Sequence, residues 1–128
     1  GTWTNLSDER FKNNIQQMAP VLSRIMAVQP RTYTLKRDEY PQLNFPEGTQ
    51  VGFVAQELEQ QFPELVKNES VSGGEKDGKT QSLSCKGVNY IGMAPILVKA
   101  IQEQQELIQK QQQQIDALIK EVEALKNH

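Results

Sequence analysis

Hydrophobic and polar residues follow two different rhythms along this chain, and the change between them falls near Val88. Before it, short apolar clusters are punctuated by proline and glycine; after it, an apolar repeat runs almost to the end, with no glycine beyond Gly92. Val21, Leu22, Ile25, Met26 and Val28 follow an approximate helical spacing, with Pro20 suited to a first turn and Pro30 as a stop, which predicts one short helix. Thr32-Tyr33-Thr34-Leu35 and Val51-Gly52-Phe53-Val54 are β-prone runs and predict two strands. Ala55 to Phe62 carries Leu58 and Phe62 at i, i+4 and ends at Pro63, the pattern of a two-turn helix. Glu64 to Lys67 leads into a further strand, Ser72 to Gly78 reads as a mobile hairpin or loop, and Thr80 to Ser84 is expected to pair back across it.

From Asn89 the pattern predicts a single helix to residue 126, with Asn89 as its cap and Pro95 near its beginning, roughly 57 Å long at 1.5 Å per residue. With Ile101, Ile108, Ile115 and Val122 at heptad position a, position d holds Leu97, Gln104, Gln111, Leu118 and Leu125, and the register runs without a slip. A seam this narrow is buried only by a neighbouring helix, so the chain is expected to self-associate as a left-handed coiled coil. Glu121 at g and Lys126 at the following e favour parallel strands. The heptads leave dimer and trimer open: β-branched a positions with leucine at d favour two strands, whereas Leu107 at g and Ile119 at e widen the seam. Gln104 and Gln111 put amides into it, which weakens the seam but penalises slipped registers. The bland alternative is that Gln111 to Gln114 is a low-complexity stretch where the helix frays.

Composition narrows the function. The 128 residues suffice for one modest domain, but 37% apolar and 6% aromatic content imply a thin core that oligomerisation would supplement. A formal net charge of −2 provides no basic field for nucleic acid or an anionic membrane, and neither partner is expected. The single cysteine, Cys85, excludes an internal disulfide and a multi-cysteine metal site, and the single histidine, His128, stands at the end of the chain, so no metal, cofactor, Ser-His-Asp or Cys-His chemistry is expected. No apolar run approaches the roughly 20 residues that span a bilayer, and Gly1-Thr2-Trp3-Thr4 carries no signal-peptide pattern. Compartment stays open.

Candidate chemistry lies at the start, in Ser7-Asp8-Glu9-Arg10-Phe11-Lys12, where a serine nucleophile and a lysine base stand five residues apart. The base can act only where its surroundings strip the ammonium of its proton, so the pair requires a dry pocket. An offset of five separates two side chains by about 140° on a helix and sets them on opposite faces of a strand. The segment must therefore bend sharply, or Lys12 of one subunit must serve Ser7 of another, and trimer formation is expected to complete the site. For an isolated Ser-x-x-x-x-Lys, the plainer reading is a turn cap and a solvated lysine. Cys85 is expected to be a small buried residue, Glu57, Glu59 and Glu64 a solvated face, and Tyr90 and Met93 core.

These residues together carry a resemblance. The opening motif with Asn14-Ile15, then Val51 to Glu59, Phe62-Pro63-Glu64-Leu65-Val66, and Gly87-Val88-Asn89-Tyr90 leading into Pro95 to Ile101 closely resemble the peptidase S74 family, the intramolecular chaperone domain of endosialidases and related phage tail fibres. The resemblance implies an α+β fold: a small mixed head of short strands and helices at residues 7–88, then a helix at 89–128 forming a parallel, trimeric coiled coil. It implies a homotrimer that helps an upstream domain of the same polypeptide find its register, then releases itself by cutting Leu6-Ser7. Ser7 matches the nucleophile and Lys12 the general base, while Asp8, Arg10 and Asn14 are supporting positions, Asp8 and Arg10 holding the turn. Residues 1–6 would be the tail of the client. Phe11 stands where the family often has leucine. Gln56 and Glu57 are expected to support packing or subunit contacts. A virion tail fibre or a bacterial surface is the setting implied, and a non-cleaving trimerisation or docking module of a surface fibre is the alternative function.

Overall fold

The computed structural model describes residues 4–128; Gly1, Thr2 and Trp3, half of the expected client tail, lie outside the described residues. The chain is a mixed α/β protein with two small antiparallel sheets and a long C-terminal helix. After an arm without regular structure over residues 4–20, broken by a 3-10 turn at Glu9–Phe11 and a bend at Asn14, come helix α1 (Leu22–Ala27), strand β1 (Arg31–Tyr33), strand β2 (Gln50–Gly52) and helix α2 (Ala55–Gln61). Strands β3 (Val66–Lys76) and β4 (Lys79–Val88) form a hairpin, and helix α3 (Met93–Lys126) completes the chain.

Both short helices form where the apolar spacing places them. β1 and β2 pair antiparallel, with Thr32 opposite Val51. Gly52 is buried between them because a side chain there would strike the hydroxyls of Tyr33 and Tyr90, 2.6 and 2.5 Å from where its Cβ would lie. Of the two forms expected for Ser72 to Gly78, hairpin or loop, the chain takes the hairpin. Strand β3 runs on to Lys76, and only Asp77 and Gly78, with φ of 55° and 73°, make the turn. Two consecutive positive φ values suit a tight hairpin whose twist matches its strands, and Asp-Gly is the dipeptide that supplies them. The register slips by one residue between Ser72 and Gly74, where Gly73 and Gly74 absorb a bulge.

The long helix begins four residues later than expected. Asn89 instead caps a preceding turn, its Oδ1 accepting from the Gly92 amide at 3.0 Å, and α3 starts at Met93 without a side-chain cap. Its 34 residues span about 51 Å.

The core is small. Val21, Leu58, Phe62, Leu65, Met93, Ile96 and Ala100 are buried, with Ile25, Val28, Phe53, Val66 and Val88 packed against them. Met93, Ile96 and Ala100 occupy heptad positions g and c of α3, so the head takes one face of the helix and leaves the a and d face free. Tyr90 departs from the core role expected of it: it is 49% exposed, stacks on Phe53 with ring centroids 5.8 Å apart, and accepts the Phe53 amide on its hydroxyl. Cys85 is half-buried rather than buried, facing a groove beside Val71 and Leu83.

Two contacts join distant parts. The Glu103 carboxylate accepts the amides of Val21 and Leu22 at 2.8 and 3.1 Å, which ties the first turn of α1 to α3. Arg24 donates twice to the Gln61 carbonyl, pairs with Glu64 at 2.7 Å and lies over the Phe62 ring at 4.2 Å. Replacing Glu103 with alanine should lower stability by about 1–2 kcal/mol, and glutamine, which keeps one acceptor, by less. Urea unfolding midpoints check the order.

The three glutamates expected to form a solvated face are each paired: Glu57 with Arg31, Glu59 with Lys86, and Glu64 with Arg24. The hydrogen bond from Arg31 comes first in holding the Glu57 carboxyl below its ordinary range; burial pushes the other way, and the charge of Arg31 adds to the bond. A depressed carboxyl contributes stability above its unfolded pKa and loses it as pH falls through the folded one. Melting temperatures at pH 7 and roughly pH 3 should therefore diverge more in the parent chain than in Glu57→Gln.

Candidate functional site

The Ser7-to-Lys12 segment folds back on itself within one chain. Asp8 is the cap of the 3-10 turn: its carboxylate accepts the Arg10 amide at 2.9 Å and pairs with the Arg10 guanidinium at 3.2 Å. The Phe11 and Lys12 amides donate to the carbonyls of Asp8 and Glu9, closing the turn, and Lys12 leaves it in an extended conformation. A 3-10 turn rises about 2 Å per residue and eclipses side chains three apart. Adding extended residues at both ends swings the Lys12 side chain back over Ser7. Lys12 Nζ lies 2.7 Å from Ser7 Oγ and donates to it. Within a single chain, the sharp bend is enough to bring two side chains five residues apart together.

Asn14 follows with φ of 52°, a left-handed conformation that asparagine tolerates better than most residues, and it redirects the chain after the turn. Of the expected site residues, the turn gathers Ser7, Asp8, Arg10 and Lys12; Leu6 precedes them with its side chain 91% exposed. The heptad residues lie elsewhere, along α3.

The dry pocket that the chemistry requires does not exist in the single chain. Every residue from Thr4 to Pro20 is exposed, Ser7 and Lys12 among them. A hydrogen bond of 2.7 Å supplies the approach that proton transfer needs. Solvent supplies the opposite of the environment that would make the lysine give up its proton. The close approach of the two side chains is present and desolvation is missing.

The seam positions are exposed in the same way. Leu97, Ile101, Ile108, Ile115, Leu118, Val122 and Leu125 all present large apolar surfaces, with Gln104 and Gln111 exposed between them. The flanking Leu107 and Ile119 are about half exposed. Among the described residues, no helix is long and apolar enough to cross a membrane, and no three histidine, cysteine, aspartate or glutamate side chains gather where they could hold a metal ion.

Comparison with known proteins bears on the turn itself. The model of the peptidase S74 family, the chaperone of endosialidase, begins its match at Ser7 and ends it at Lys67. Residues 7–67 are similar to the peptidase S74 family. The matched span takes in the capped turn, α1, β1, β2, α2 and the beginning of β3. The matching family is described as a chaperone and carries the name of a peptidase. Most of the hairpin and the whole of α3 lie beyond the S74 match. No curated protein matches the chain.

The Asp8 cap is the turn cap of the plainer reading, which residue type alone offered for Ser7 or Asp8. An aspartate two residues before the amide it accepts is a recognised turn signal. The Glu103 anchor had no local signal, because its partners lie 82 and 81 positions away.

Proposed function

We propose that this chain is a C-terminal intramolecular chaperone that trimerises, aligns an upstream fibre-like domain of the same polypeptide, and releases itself by cutting Leu6-Ser7. The observation that carries the reading is the 2.7 Å approach of Lys12 Nζ to Ser7 Oγ, inside a turn with which the S74 match begins. Residues 1–6 are then the tail of the client, 7–88 the head, and 89–128 the assembly helix.

Deprotonated Lys12 takes the proton of the Ser7 hydroxyl, and Oγ attacks the Leu6 carbonyl carbon. The Leu6-Ser7 C–N bond breaks, the Ser7 nitrogen takes a proton and leaves as an amine, and Leu6 is held as an ester on Oγ. Water then hydrolyses the ester, freeing the Leu6 carboxylate and restoring the hydroxyl. Asp8 and Arg10 act as positioning residues: they hold the turn that brings the two ends together.

Assembly is supported by two features. The buried core is small for a chain of this length, and the exposed a and d residues of α3 form an apolar stripe interrupted only by Gln104 and Gln111. A parallel trimer buries that stripe and gives an upstream trimeric fibre a common starting register. Self-cleavage is tested by incubating the chain and measuring its intact mass. A product beginning at Ser7 is expected, and a chain whose mass never changes would remove the peptidase step.

A second reading, a non-cleaving trimerisation or docking module, is favoured by one observation: Ser7 and Lys12 stand in solvent in the single chain. That reading keeps the seam and discards the chemistry.

A further inference from the structure

An apolar groove of about 370 Å³ opens beside the start of α3, lined by Ile25, Val28, Phe53, Met93, Ala94 and Leu97. Ala94 and Leu97 are heptad positions a and d, so the groove is the upward continuation of the seam into the head. In a parallel coiled coil, a g residue faces the e residue five places further along the neighbouring helix. Met93 is such a g residue, buried under its own head, so the matching e residue of a neighbour, Val98, 54% exposed, comes to the exposed Ala94 and Leu97 beside it. A second copy therefore brings its Val98 to this groove.

Val98 does not arrive alone. In its own chain it sits with Pro95 and Lys99 beside Gln17 and Met18, because the N-terminal arm runs along that side of the helix. The arm holds Phe11, Ile15 and Met18, apolar side chains that are 67%, 64% and 41% exposed. Apolar side chains this exposed on an arm without regular structure fit a segment that another chain covers.

We infer that the arm of each copy is seated on the head of the next, with Met18 and Val98 of one chain filling the groove between α1, Phe53 and α3 of its neighbour. The inference rests on the parallel oligomer proposed above and adds its contact. It also reaches the chemistry: Lys12 stands six residues before Met18, at most about 20 Å along an extended chain. The neighbouring head is the body within range that can cover the Ser7-Lys12 turn, so the dry pocket is built from two copies, although both reacting side chains come from one.

Two tagged forms produced together test this, both in a Cys85→Ser background, one carrying Met18→Cys and the other Val28→Cys. A bismaleimide link between different tags can form only between chains. We expect such links at roughly tenfold or more the yield of a Met18→Cys and Thr80→Cys pair, because seating raises the local thiol concentration. Ala94→Cys, at an exposed position in the same groove, replaces Val28→Cys should the latter disturb the head. Light scattering on the same samples separates the failures. An oligomer without links above the control overturns the seating of the arm and leaves the assembly intact; a single-chain mass overturns both.

Discussion

Ser7→Ala should leave the Leu6-Ser7 bond uncut at all times, because the acyl shift needs a hydroxyl on the residue whose nitrogen it leaves. Lys12→Ala should slow the cut by roughly 10²–10⁴-fold, the usual worth of a positioned general base. Lys12→Arg is the sharper test, since a guanidinium keeps the charge and the reach but does not give up its proton in a protein. If Lys12 serves only as a charge that holds the turn, arginine should restore cutting; if it is the base, arginine should be as slow as alanine. Asp8 distinguishes positioning from chemistry in the same assay. Asp8→Asn retains a good cap for the Arg10 amide and should cut at close to the parent rate, whereas Asp8→Ala, which frees the turn, should be slower. Intact-mass time courses on the parent and the five variants report all of this, and equal processing in the parent, Ser7→Ala and Lys12→Ala would end the dyad.

Ile108→Asp should abolish assembly. Ile108 is an a residue near the middle of α3, 55% exposed in the single chain, and in a parallel trimer three copies of it meet in one layer. Three carboxylates in that layer would have to be desolvated without partners, at a cost of several kcal/mol each. Assembly should weaken by at least about 10³-fold, enough to convert the oligomer to single chains at micromolar concentration. Gln113→Asp, at f on the outer face, is the matched control and should leave the mass unchanged. Because the single chain leaves Ser7 and Lys12 in water, Ile108→Asp should also lose most of its cutting although the turn itself is untouched. A monomeric Ile108→Asp chain that still cuts at the parent rate would separate the chemistry from assembly and contradict the two-copy pocket.

How far these elements could be read from sequence depends on how local their causes are. α1 and α2 were legible because apolar spacing and the flanking Pro20, Pro30 and Pro63 all act within a few residues. The hairpin was half legible. Attention to the glycines of Ser72 to Gly78 hid the stronger signal of Asp77-Gly78, which needs only two residues to turn and leaves the rest free to pair. Asn89 was read as a helix cap on residue type alone, and the chain spends it on the turn before the helix. The Ser7-Lys12 approach was legible as a problem, since no regular element joins residues five apart on one side, and its solution, a capped 3-10 turn, was within reach through Asp8. The Glu103 anchor and the groove at Phe53 were not legible, because they depend on how α1, β2 and α3 come together.

If the proposed dyad acts, its exposure in the single chain would link chemistry to assembly in one module. A serine and lysine held 2.7 Å apart in water have the geometry of catalysis without its environment. If only the assembled state supplies that environment, the cut waits until the upstream chains share a register, which is the order a fibre requires.

The most direct measurement of this account is the N-terminal residue of the chain in size-separated fractions. Chains beginning at Ser7 should appear in the oligomeric fraction and not in the monomeric one. An oligomer whose chains still carry the Leu6-Ser7 bond, or monomers cut as fast as oligomers, would contradict it.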